Sequence, residues 1–153
     1  MITEEGLDAI ITSLETRPVE MEEFYERMSD FYPTAVGWLT DRSDPLTSEE
    51  EDYFLYLGMI VLTIAADQDH VDPQPEQLEK CEEKVWEQIN EDHPKSLEAQ
   101  ADKVDDDDVV GIFLIDALHS DDELPFLTPP GALAGFARLH ALSKAFKLVS
   151  TQN

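Results

Sequence analysis

Val109-Val110-Gly111-Ile112-Phe113-Leu114-Ile115 is the stretch on which the fold class of this chain turns. Its β-branched residues and its glycine favour a strand. Asp105, Asp106, Asp107 and Asp108 stand directly before it. Carboxylates there suit the positive end of a helix dipole, and one aspartate can cap the orphan amides of a first turn. A lone strand would also have no obvious partner elsewhere in the chain. The stretch therefore reads as a helix, and the chain as all-α.

Upstream, apolar residues recur with helical spacing. Thr3 reads as an N-cap, with Ile2 and Leu7 placed to form a hydrophobic staple around it. Leu7, Ile10, Ile11 and Leu14 then mark one buried face, and Pro18 interrupts. Met21, Phe24, Tyr25, Met28, Phe31 and Tyr32 form a second stripe, which Pro33 ends. A short helix with Ala35, Val36, Trp38 and Leu39 follows, then a loop at 41–46. Ser48 with Glu51 matches a capping box, and Thr47 with Glu50 is an equivalent register. The helix from there to about Asp67 is apolar nearly all round, which places it at the centre of the fold.

Beyond a loop at 67–74, Leu78, Cys81, Val85, Trp86 and Ile89 line one face of an amphipathic helix that His93-Pro94 stops. Leu97, Ala101 and Val104 suggest a short helix. Downstream of 109–118, a loop at 120–128 leads to Thr128 as N-cap and Pro129 at the first helical position. Leu139, Leu142, Phe146 and Val149 make the inner face of this last helix, and His140, Lys144 and Lys147 the opposite one. Residues 1–153 thus form a single acidic domain, a bundle of about six to eight helices around a central apolar helix near 49–67.

Charge bounds the partners. The chain carries 35 Asp and Glu against 10 Lys and Arg, a net charge of −25. All the carboxylates lie at or before Glu123, whereas the residues after it hold Arg138, Lys144 and Lys147. An acidic body ends in a mildly basic, apolar segment. Seven Phe, four Tyr and two Trp supply a core, so the charge does not imply disorder. It disfavours direct contact with nucleic acid or an anionic membrane. The longest uncharged apolar run, at 53–66, falls short of the ~20 residues that span a bilayer. Met1-Ile2-Thr3-Glu4-Glu5 lacks the positive and apolar regions of a signal peptide, so a cytoplasmic location is expected.

Candidate chemistry is sparse. Asp67, Asp69 and Asp72 are the best candidates for a hard cation, but Val71 and Asp72 break the EF-hand pattern, and the cluster reads more simply as a solvated loop. Asp116 and His119 can touch across one helical turn, as an imidazole and the carboxylate that orients it. They read chiefly as a polar pair at a helix end, since no G-x-S-x-G accompanies them and Cys81, the single cysteine, sits on an apolar stripe. His70, His93, His119 and His140 are dispersed, without a zinc motif. Neither a P-loop nor G-x-G-x-x-G occurs. Gly131 and Gly135 are spaced for close helix packing. Leu124 and Phe126, in an apolar loop tetrapeptide, read either as a cover over the core or as a docking element.

No enzyme activity, no cofactor and no resident metal are expected on these grounds. The leading expectation is a protein-binding module whose acidic surface, including Asp105, Asp106, Asp107, Asp108, Leu124 and Phe126, engages a basic protein partner. Immunity proteins of nuclease toxins and mimics of DNA work in this way. One alternative is a small-molecule-binding or enzymatic helical domain using Asp116 and His119. Another is adaptation to high salt, for which the carboxylates should cover the whole surface. The sequence leaves the oligomeric state open.

Overall fold

The decisive stretch forms a helix because Asp108 caps it. The Gly111 amide donates to Asp108 Oδ1 at 3.0 Å, and Val109–Leu118 is helical. This is seen in a computed structural model that describes residues 2–16, 20–40, 47–91, 96–119 and 127–152. Pro18, the loop at 41–46, His93-Pro94, Leu124, Phe126 and the side chain of Val149 lie outside the described residues.

Eight helices and no strand occur among those residues. They are α1 (Glu4–Thr16), α2 (Met21–Phe31), α3 (Pro33–Thr40), α4 (Ser48–Asp67), α5 (Pro75–Asn90), α6 (Leu97–Ala101), α7 (Val109–Leu118) and α8 (Pro129–Gln152). Local signals in the sequence set most of their ends. Thr3 Oγ1 accepts from the Gly6 amide at 3.1 Å. Ser96 Oγ accepts from Ala99 at 3.1 Å. Thr128 Oγ1 accepts from Gly131 at 3.1 Å and so starts α8 at Pro129. Asp69, in the left-handed region at φ 55°, closes α4, and the His70 amide returns to the Ala65 carbonyl at 2.8 Å. That is the bonding pattern of a Schellman C-cap.

Between the two capping-box registers of α4, the fold selects Thr47 and Glu50. The Glu50 amide donates to Thr47 Oγ1 and the Thr47 amide to Glu50 Oε1, both at 3.1 Å. The choice is made far away in sequence. Glu50 Oε2 also accepts from the Thr128 amide at 3.1 Å and from its hydroxyl at 3.0 Å. One carboxylate, 2% exposed, thus joins the N-termini of α4 and α8. The register leaves Glu51 free to pair with Arg138.

The core is shared by two helices. Leu57 to Leu62 of α4 are buried on consecutive positions, as expected for the central apolar helix. α8 is enclosed just as fully, packed on α4, α5 and α7. Leu139, Leu142 and Phe146 are buried as its inner stripe requires, and Arg138, His140 and Ser143 on its other sides are buried too. The close approach of α4 and α8 depends on the two glycines. A Cβ at Gly131 would run into the Glu50 carboxylate, and one at Gly135 would come within 2.6 Å of the Phe54 ring. Tyrosine hydroxyls tie the outer helices to this pair. Tyr25 donates to the Leu55 carbonyl, Tyr53 to Ala117, and Tyr32 to His70. No described helix is long and apolar enough to cross a membrane.

Candidate protein-binding groove

Arg138, His140 and Lys147 of α8 each meet a carboxylate of the fold. Arg138, 1% exposed, donates to Glu51 Oε1 at 2.9 Å, with its guanidinium 6.0 Å from the Phe54 ring centre. Asp108 does three jobs at once. Besides capping α7, it meets His140 Nε2 at 3.0 Å and Lys147 Nζ at 3.1 Å. Burial would raise the pKa of its carboxyl, but the bonds from His140 and Gly111 and the charge of Lys147 outweigh burial. The group is held well below the usual carboxylate range. Glu50 follows the same logic: burial opposes its charge, and the donors of Thr128 and Thr47 win. His140 and Lys147, which the sequence sets opposite the apolar stripe of α8, thus share the Asp108 carboxylate.

The sequence candidates separate in space. Asp72 turns inward to the start of α3, accepting from the Thr34 amide at 2.9 Å and the Ala35 amide at 3.1 Å. Asp67 and Asp69 point to solvent. Among the described residues, no three His, Cys, Asp or Glu side chains converge as a metal site. Asp116 and His119 are both exposed, and no hydrogen bond or ion pair joins them. Burial pushes the Cys81 thiol up, against the pull of Lys144 and Lys84, so it stays protonated near neutrality. Asp105, Asp106 and Asp107 are exposed, unlike Asp108.

A different constellation emerges between α3 and α5. Trp38 and Trp86 line an open groove of about 560 Å³ together with Glu79, Glu82, Glu83, Glu87 and Asn90. These are the two tryptophans of the chain. Both are half-buried, each with part of the indole against the core and part facing the groove. The glutamates follow from helical spacing, since 79, 83 and 87 fall at i, i+4 and i+8 with 82 beside them. Lys80 and Lys84 do not line the groove. Sequence reasoning places Trp86 on a core stripe and Trp38 merely in a short helix, and so misses this site. The signal is there in Trp86, which sits one place off the Leu78, Cys81, Val85, Ile89 stripe with glutamates on both sides.

No family model, no curated protein and no solved structure matches this chain. Its site is read from geometry alone.

Proposed function

We propose that the protein is a non-enzymatic binding module that engages a basic protein partner through the groove of Trp38 and Trp86. The observation that carries this reading is the meeting of both indoles with four glutamates in one open groove. An indole face attracts an ammonium or guanidinium by about 0.5–1 kcal/mol when exposed and about 2 kcal/mol when the pair is desolvated. Tryptophan is also enriched among the few residues that dominate binding energies. The glutamates select the sign of the partner, and the net charge of −25 speeds its approach. At physiological salt that field is screened beyond about 8 Å, so discrimination falls to the groove. Covering a cationic surface in this manner is how immunity proteins and DNA mimics act.

The indoles supply their own reporter. An octa-arginine peptide titrated into the protein should change tryptophan fluorescence at low salt, with affinity falling as salt rises. Replacing Glu79, Glu82, Glu83 and Glu87 by Gln should weaken binding about tenfold or more, from several pairs each worth about 0.2–1 kcal/mol. Neutralising Glu4, Glu5, Glu22 and Glu23 instead changes the net charge equally, on exposed positions of α1 and α2. Equal losses in the two variants, or binding with silent tryptophans, would remove the groove from the mechanism.

A further inference from the structure

Where α4, α7 and α8 meet beside His70, they border a second space, a half-open cavity of about 270 Å³. Its wall is apolar, built from Val61, Ile64, Ala65, Val110 and Phe146, with Ile2 from the N-terminal segment. A dry apolar cavity of ~150 Å³ is already enough to hold benzene. Dedicated ligand pockets begin near ~300 Å³. The space therefore suits a single aromatic ring with a small substituent. Phe146 and His70, whose rings lie 6.0 Å apart at a 36° tilt, give it an aromatic side.

Two polar groups at this wall are unspent, the Ser143 hydroxyl and the buried His70 Nδ1. Ser143 is 6% exposed and borders the cavity. The hydroxyls of Thr16, Thr40 and Thr63 return to the carbonyl four residues back. That of Ser143 makes no hydrogen bond with any described residue. An unpartnered hydroxyl on an apolar wall offers a ligand one hydrogen bond, and so does the buried His70 Nδ1, which has no partner among the described residues. Charge narrows the class further. Lys147 borders the cavity but is held by Asp108. Burial and neighbouring positive charge, Lys147 included, push the His70 pKa down, so its ring is neutral near pH 7. Among the described residues no uncommitted side-chain cation borders the cavity to await an anion, and the net charge repels one.

We infer that this cavity binds an uncharged single-ring aromatic molecule with one hydrogen-bonding group, a phenol or its like, its ring against Phe146 and its polar group on Ser143. The site is independent of the tryptophan groove. Its test is a heteronuclear NMR titration of the full chain with phenol, toluene and benzoate. Phenol should shift the amides of Val61, Ser143 and Phe146. Toluene should bind about three- to tenfold more weakly, the worth of one hydrogen bond. Ser143→Ala should erase that preference while leaving toluene affinity intact, and Ser143→Met should fill the space and abolish both. If Ser143→Met does not fold, Ser143→Ala still decides, because it removes a single oxygen. No binding of phenol up to its solubility, a preference that survives Ser143→Ala, or tighter binding of benzoate than of phenol would each overturn the assignment.

Discussion

Replacing Glu50 by Gln tests the joint between α4 and α8 with almost no change of volume. Glu50 accepts three hydrogen bonds from Thr47 and Thr128 outside its own helix backbone. A carboxylate offers two acceptor oxygens, whereas a carboxamide offers one and presents an NH₂ in place of the other. Either the Thr47 amide or the Thr128 donors must then face that NH₂. An unsatisfied buried donor costs about 1–3 kcal/mol, and hydrogen bonds to a charged acceptor are each worth about 1.5–3 kcal/mol. Allowing for partial rearrangement, Glu50→Gln should destabilise the protein by about 2–4 kcal/mol, a large part of the 5–15 kcal/mol typical of a domain. For a chain of 153 residues this lowers Tm by about 5–15 °C. Thermal unfolding followed by circular dichroism at pH 7 measures it. The sign of the pH effect is fixed. The folded-state pKa of Glu50 is lowered, so its contribution is complete above the unfolded value of about 4.3 and is lost as pH falls through the lower folded value. The gap between wild type and variant should therefore close in acid. A variant within about 0.5 kcal/mol of wild type, inside the scatter of ordinary surface changes, would refute the assignment of Glu50 as the joint. So would a loss that stays constant from pH 7 to pH 2.5.

Two further changes probe the same architecture. Asp108→Asn keeps the shape of the α7 cap but removes the charge that holds His140 and Lys147. It should cost about 1.5–3 kcal/mol by urea unfolding at neutral pH. Because the folded pKa of Asp108 is depressed, wild type should lose this contribution only below about pH 4, and the variant should show no such acid step. The glycines form a matched pair. A methyl at Gly37, inside α3, meets nothing within 4 Å, so Gly37→Ala should stabilise by up to about 1 kcal/mol. At Gly135 the same methyl strikes the buried Phe54 ring, so Gly135→Ala should destabilise by about 1–2 kcal/mol despite the gain in helix propensity. Two Tm shifts of the same sign would contradict the packing described for α4 and α8.

What the sequence made legible is what depends on neighbours within one helical turn. The aspartates before Val109 identify a helix against strong β-branched composition, because capping and the dipole act locally. Thr3 and Thr128 are legible as caps for the same reason. Long-range choices are not. Thr47 and Ser48 are indistinguishable as caps of α4 until Thr128, 78 positions beyond Glu50, claims the second oxygen. Asp72 resembles a cation ligand in a run of aspartates, but its partners are amides of α3 that precede it by 38 and 37 residues. The C-terminal helix shows an apolar stripe and a basic face in its sequence. Only the fold reveals that His140 and Lys147 on that face share the Asp108 carboxylate. The groove was hidden differently. Periodicity assigns a half-buried indole to the core, and the part that faces outward leaves no trace in a one-dimensional pattern.

The face of α5 that borders the groove is assembled against its own helix. Glu79, Glu83 and Glu87 stand four residues apart, and like charges at that spacing each cost a helix about 0.2–0.5 kcal/mol. Among the described residues no ion pair engages any of the three. Elsewhere the fold makes use of its carboxylates. Glu50, Glu51, Asp72 and Asp108 cap helices or hold buried cations. Those acidic residues are accounted for by stability, and the row beside Trp86 is not. A row that repels itself is relieved by cations arriving from outside, and the relief is greatest where indoles help to exclude water from the contact. Carboxylates that meet helix N-termini and the basic residues of α8 build the fold, and the proposed recognition of a basic partner falls to Glu79, Glu83 and Glu87 beside Trp86.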